Sequence, residues 1–225
     1  MQEQDFVFEA LSRLHAQATL ISFEVQACLR SGFPSAARAR WRTLHEIVVS
    51  MEIIGRRERD IAERFLSHSA IEIARDADVY QEHYATLGHE PLVPNELLKI
   101  YKQRDETLDR FNDKDYAKDY GWGVPLTEKG NAPTFRWLEK EAGFDHMRPL
   151  YRDANHRIHA GSRAHSLQVF RRGPHRLVSR GPVNIGLEEV GHGVLISLTQ
   201  ATIILTRATP DPGLVGLWVS SHFLN

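Results

Sequence analysis

The sequence predicts an all-α fold that carries one small β-hairpin before its last helix. Three observations predict it: apolar residues recur every three or four positions over most of the 225 residues, two short β-like stretches sit side by side near residue 170, and Pro, Gly and Ser clusters separate the runs at short intervals. A hydrophobic share of 42% is enough to bury a core, and no internal repeat, low-complexity segment or composition break forces a second domain. One helical domain is therefore expected over 1–209, with a tail over 210–225.

The first helix is read from Leu11 to Leu29, where one buried stripe runs through Leu11, Leu14, Ala18, Ile21 and Val25. Cys28 falls on that line and reads as a small buried hydrophobe rather than a nucleophile. SGFPS stops the helix, and Pro34 and Ser35 start a second, patterned by Ala37, Trp41, Leu44, Val48 and Met51. A connection this short makes the two helices antiparallel neighbours. A third helix, from about Arg59 to Leu87, is rich in charge and expects a mostly exposed face. The fourth is expected after Pro94 with Asn95 as its cap, running through Leu97, Leu98, Tyr101, Leu108 and Phe111. GWGVPLTEKGNAP reads as a connector ordered by Trp122, and short helices are expected over Thr134–Ala142 and Asp145–His159. SLQVF and RLVSR, split by RRGPH, form the hairpin at about 166–180. The last helix follows Pro182 through Leu187, Val190, Val194, Leu198, Ala201 and Leu205, with Gly191 and Gly193 weakening the helical propensity of its first turns.

A formal net charge of −1 points to neither nucleic acid nor acidic substrates as a bulk property, so any electrostatic partner must meet a local patch. The single cysteine excludes an internal disulfide framework and a thiolate zinc site, and it suits a reducing compartment. MQEQDFVFEA lacks the basic and apolar regions of a signal peptide, and VLISLTQATIILT is too short and too polar to span a bilayer. A cytoplasmic protein without membrane contact is expected.

The chemistry concentrates in YRDANHRIHAG, residues 151–161. On a helix, Arg152, His156 and His159 share one face, with Asn155 beside them. From Ala154 to Leu187 there is no acidic residue, while Arg157, Arg163, Arg171, Arg172, Arg176 and Arg180 supply six positive charges, leaving −7 for the rest of the chain. A cationic stretch with aromatic Phe170 suits a phosphate backbone, because neutralising phosphates releases counterions. The plainer alternative is that these arginines decorate an exposed hairpin and pair with the acids of the third helix. The histidines admit three readings. A metal site needs a third ligand and a carboxylate near by, and the cationic surroundings oppose a dication. Metal-free RNA cleavage needs a histidine to move a proton and an arginine to stabilise charge on the phosphate. Helix-end capping needs neither.

GFPSAARARWRTLHE, YGWG and TFRWLEKEAG followed by LYRDANHRIHAG resemble a family of bacterial helical proteins known only as a domain of unknown function, over roughly residues 10–205. The family's pattern is Arg-x-x-x-Glu on the second helix and Tyr-x-x-x-Ser-x-x-x-His near the C-terminal third. Arg42 and Glu46 match the first part; Tyr151 and His159 match the second, with Asn155 where Ser is usual. More distantly the chain is similar to the HEPN superfamily of helical dimeric ribonucleases and nucleotide-binding modules, whose signature is Arg, four to six residues, then His. Arg152, Asp153 and His159 satisfy it; Arg38 and His45 repeat the spacing without the polar residue after the Arg.

That resemblance implies a HEPN-like bundle and a metal-independent endoribonuclease, a toxin or antiphage effector without cofactor. His159 would be its general acid or base, Arg152 its phosphate stabiliser, and Asp153 would orient one of them. Asn155, His156, Tyr151, Arg42, Glu46 and His45 would support the site, and Arg157, Arg163, Arg171, Arg172 and Arg176 would hold RNA. A homodimer and an antitoxin or defence-system partner are implied with it. The alternative is a non-catalytic helical module that binds RNA, a nucleotide or a protein.

Overall fold

Helices follow the apolar periodicity along most of the chain. The computed structural model describes residues 5–56, 59–159, 161–163 and 169–208. They form α1 (Phe6–Arg30), α2 (Pro34–Arg56), α3 (Arg59–His83), α4 (Pro94–Phe111), α5 (Phe135–Glu141), α6 (Arg148–Ile158), the strands β1 (Val169–Arg172) and β2 (His175–Val178), and α7 (Leu187–Ala208). Short 3-10 turns at Gly121–Leu126 and Asp145–Met147 complete the order. The fold is all-α with a two-stranded antiparallel hairpin before the last helix. The first part of the expected hairpin, 166–168, and the tail from 210 lie outside the described residues.

The chain contacts group into two compact units, Phe8–Arg56 with Leu138–Asn225, and Met1–Val7 with Arg57–Trp137. In the first, α1 and α2 run antiparallel. Arg40 pairs with Glu24 at 2.5 Å, while Leu11 lies beside Gly55 at the other end. The turn between them is fixed by Gly32 at φ +75°, whose carbonyl accepts from Val183 N–H at 2.8 Å. A Cβ at Gly32 would meet Pro182 at 2.8 Å, so only glycine lets the two segments approach this closely. Cys28 is half-buried rather than fully buried, because the α1 stripe ends at Val25.

The last helix contains Gly191 and Gly193 in its first turns, despite their weak helical propensity. Gly193 explains itself: a Cβ there would lie 2.8 Å from the Trp41 indole nitrogen. Its helix-propensity cost of about 1 kcal/mol is offset by the close packing of α7 on α2. Trp41 Nε1 then donates to Ser197 Oγ at 3.2 Å, one turn further along.

In the second unit, α3 turns Ile61, Arg64, His68 and Ile71 inward at helical spacing. Tyr116 is fully buried and donates its hydroxyl to the Arg64 carbonyl at 2.8 Å. Trp122 is buried and meets Phe65 edge to face, as the ordered GWG connector requires. A Cβ on Gly121 would fall 1.9 Å from the Tyr116 carbonyl oxygen. Helix α4 starts at Pro94, with Val93 rather than Asn95 as its cap and no side-chain cap bond. Proline's fixed φ begins the helix by itself and needs no amide proton.

The hairpin register sets Arg171 opposite Arg176 and Arg172 opposite His175, beside the pairs Phe170–Leu177 and Val169–Val178. β1 ends, and β2 begins, in exposed basic residues, so these gather at the turn of the hairpin. Among the described residues, no helix is long and apolar enough to cross a membrane.

Candidate functional site

Helix α2 presents Arg38, Trp41, Arg42, His45 and Glu46 along one side, because residues three, four, seven and eight apart fall within a narrow arc of a helix. This side packs against α6 and α7. The result is a ladder of polar contacts with an aromatic centre, buried to different depths.

At its middle, Arg42 Nη2 donates to Tyr151 Oη at 2.8 Å, the tyrosine hydroxyl donates to Glu46 Oε1 at 2.5 Å, and Arg42 also pairs with Glu46 at 2.7 Å. The Arg42 guanidinium lies over the Tyr151 ring, 5.0 Å from its centroid. Burial and the hydrogen bond to Glu46 push the Tyr151 hydroxyl well above the ordinary phenol range, outweighing Arg42 beside it. It is therefore a fixed donor and not a nucleophile at neutral pH. The Arg-x-x-x-Glu pair and the tyrosine of the second motif, more than one hundred residues apart in sequence, thus form one closed triangle.

One step along α2, His45 stacks on Trp41 and places Nε2 2.9 Å from Glu139 Oε1. Arg148 Nη1 donates to the other oxygen of Glu139 at 2.9 Å. Burial lowers the His45 pKa, and Glu139 only partly offsets this. The neutral ring must carry its proton on Nε2, since a carboxylate can only accept.

At the other end, Arg38 donates to Asp153, and to Glu189 at 2.7 Å. Arg157 reaches the same Asp153 at 3.3 Å. Burial alone would raise the Asp153 pKa; the bond from Arg38 and the charge of Arg157 reverse this and hold it below the usual carboxylate value. Burial would likewise lower the Arg38 pKa, and its two carboxylate partners raise it instead.

Helix α6 is thereby sorted into two faces. Its inner side, through Arg148, Tyr151, Asp153 and Arg157, is engaged as described. Its outer side presents Arg152, exposed, and His156 one turn on, half-buried; His159, exposed, caps the helix in an extended conformation after Ile158. None of these three side chains has a polar partner among the described residues. Asp153 is expected to orient Arg152 or a histidine, but its carboxylate instead lies between Arg38 and Arg157. Asn155 sits between the faces, its Oδ1 buried without a hydrogen-bond partner among the described residues and its carbonyl accepting from His159 N–H at 3.2 Å.

The expected RNA-holding arginines divide similarly. Arg157 has a side chain only 3% exposed and serves the Asp153 cluster. Arg163, Arg171, Arg172 and Arg176 are exposed. Arg42 and His45 meet Tyr151 and Glu139, so neither joins Arg152 or His159 in a shared contact. Among the described residues, no group of three or more His, Cys, Asp or Glu side chains is placed to hold a metal ion.

Sequence reasoning passed over Glu139, Arg148 and Glu189. Glu139 left a signal. It lies between Leu138 and Ala142 on the buried side of α5, and a carboxylate inside an apolar stripe demands a buried partner. Arg148 and Glu189 left none, because each is an ordinary charge at the first turn of its helix.

No curated protein and no solved structure matches the chain. A family model described as a family of unknown function (DUF5677) matches residues 8–173, which include α2, the whole polar ladder on α5 and α6, and the first hairpin strand. The triangle of Arg42, Glu46 and Tyr151 is the packed form of the motif pair through which the sequence resembles such a family, and the chain belongs to DUF5677.

Proposed function

We propose that this protein is a HEPN-like, metal-independent endoribonuclease that binds RNA across the outer face of α6 and the basic hairpin. One observation carries the reading: while the inner ionisable groups of α6 are engaged by partners on α2 and α5, Arg152, the half-buried His156 and, just past the helix end, His159 have no polar partner among the described residues. In this mechanism His159 takes the proton from a ribose 2′-hydroxyl as its oxygen attacks the adjacent phosphorus. The 5′-oxygen leaves with a proton from His156 or a second protomer's histidine, giving a 2′,3′-cyclic phosphate and a 5′-hydroxyl. Arg152 stabilises the charge on the non-bridging oxygens, and the exposed hairpin arginines neutralise flanking phosphates. The inner ladder keeps α6 in place. A homodimer, and an antitoxin or defence-system partner that covers this face, belong to the same proposal.

A second reading is favoured by Asp153. With its carboxylate held between Arg38 and Arg157, it orients neither Arg152 nor His159, which suits a module that binds RNA without turnover. The test is cleavage of single-stranded RNA by the purified chain in excess chelator, beside His159→Ala and Arg152→Ala. The ribonuclease requires cleavage that both substitutions abolish. RNA binding without product leaves the module, and cleavage unchanged in His159→Ala removes the enzyme assignment.

A further inference from the structure

Beside the hairpin, where it meets the α1–α2 turn and the start of α7, lies a wide, open cavity of about 560 Å³. Its lining is mixed. Leu29, Leu187 and Phe170 of β1 are apolar lining residues, and Arg30, Ser31 and Asn184 are polar ones. The last three have no side-chain partner among the described residues. Two lining segments are tied together, since Val183 N–H donates to the Gly32 carbonyl at 2.8 Å and Gly32 packs on Pro182 too closely for any side chain. A volume in the range of ligand pockets, and an apolar lining beside polar side chains without a partner among the described residues, suit a ligand held at the surface.

The hairpin identifies the ligand class. Alternation along a strand puts Phe170 and Arg172 on one face, with Leu177 and His175 across from them. The face that lines the cavity therefore continues, about 6.7 Å along the strand, into two basic side chains. An aromatic ring to stack on, an amide able to donate and accept along a base edge, and cations on either side are what single-stranded RNA requires. An aliphatic ligand would use the apolar lining but neither the cations nor the amide; a free phosphate would not use the ring.

The geometry points to this cavity as a nucleobase-binding pocket: one unpaired RNA base stacks on Phe170 and meets Asn184, while Arg30 and Arg172 hold the phosphates on either side of it. The inference rests on the RNA-binding reading above and adds where a base, as opposed to the backbone, is recognised. The α6 outer face then acts on a strand anchored at the pocket.

The test uses the full chain, a fluorescent single-stranded oligouridine and an oligomer of the same length whose central nucleotides are abasic, with affinity followed by anisotropy at several salt concentrations. Stacking of one base corresponds to roughly a tenfold change or more in Kd. The wild-type chain should bind the abasic oligomer at least tenfold more weakly, and Phe170→Ala should bind both equally, with the salt dependence of wild type. Phe170→Trp should restore the difference. Asn184→Ala, outside both hairpin strands, should reduce the preference for the intact oligomer without altering β1, so the test survives a Phe170→Ala chain whose hairpin fails to form. Equal wild-type affinity for the two oligomers overturns the pocket while leaving RNA binding intact. Failure of the wild type to bind either oligomer overturns both.

Discussion

Replacing Glu139 with alanine should be among the costliest single changes in the chain. None of this carboxylate's surface is exposed, and it accepts from His45 Nε2 and Arg148 Nη1, each at 2.9 Å. Removal takes a hydrogen-bond acceptor from a histidine 2% exposed, a loss of about 1–3 kcal/mol. Arg148 is 30% exposed and can turn toward water, so its part is discounted to about 1 kcal/mol. The vacated methylenes add about 1 kcal/mol of lost packing. The sum, about 3–5 kcal/mol, agrees with the general cost of removing one partner of a buried pair. For a chain of 225 residues this lowers Tm by roughly 6–20 °C. Glu139→Gln keeps the shape and one acceptor, though its amide nitrogen then faces a donor, and should lose about half as much. Urea denaturation followed by circular dichroism measures both. A loss below about 1 kcal/mol for Glu139→Ala, or a glutamine as damaging as the alanine, would refute the assignment of Glu139 as the anchor between α2 and α6.

Three other outcomes follow from the same contacts. Tyr151→Phe removes the hydroxyl between Arg42 and Glu46 but spares their direct pair at 2.7 Å, so it should cost about 1 kcal/mol in the same denaturation experiment. His15 and His45 are both held below the ordinary histidine pKa of 6.5 by burial. The unfolded chain then binds protons that the folded chain refuses, so stability is full above about pH 6.5 and falls as the pH drops below it. The slope is at most about 1.4 kcal/mol per pH unit for each histidine, and urea midpoints compared at about pH 7.5 and 5.5 should show the decline; a flat profile contradicts it. Gly193→Ala, favourable by helix propensity alone, should instead destabilise by about 1–3 kcal/mol because its Cβ meets the Trp41 indole, and a more stable variant would show that α7 shifts freely on α2.

Much of the architecture was legible because helical periodicity is a local signal. Leu11, Leu14, Ala18 and Ile21 are buried along one side of α1, as their spacing requires. Pro34 begins α2 and the hairpin precedes the last helix. What was not legible depends on partners distant in sequence. Gly193 reads as a helix breaker until Trp41 is known to lie beneath it. Asp153 stands next to Arg152 in the chain, yet adjacent helical residues point about 100° apart, and its carboxylate turns toward Arg38, 115 positions away. The Arg42–Glu46 spacing announced a pair one turn apart, but nothing local revealed that Tyr151 would close the triangle. Burial, too, was only half visible: an arginine in an acid-free stretch looks like surface, and Arg157 proves to be inside.

The single-sided ladder on α2 also governs which changes in length the chain can tolerate. Trp41, Arg42 and His45 each meet a different element, through Ser197, Tyr151 and Glu139. Inserting or deleting one residue between Arg38 and Trp41 would turn the three by about 100° relative to Arg38, so the contacts of Arg38 and those of the other three could not all form at once. Drift within this family should therefore proceed by substitution along α2, with gaps accumulating in the connections around it.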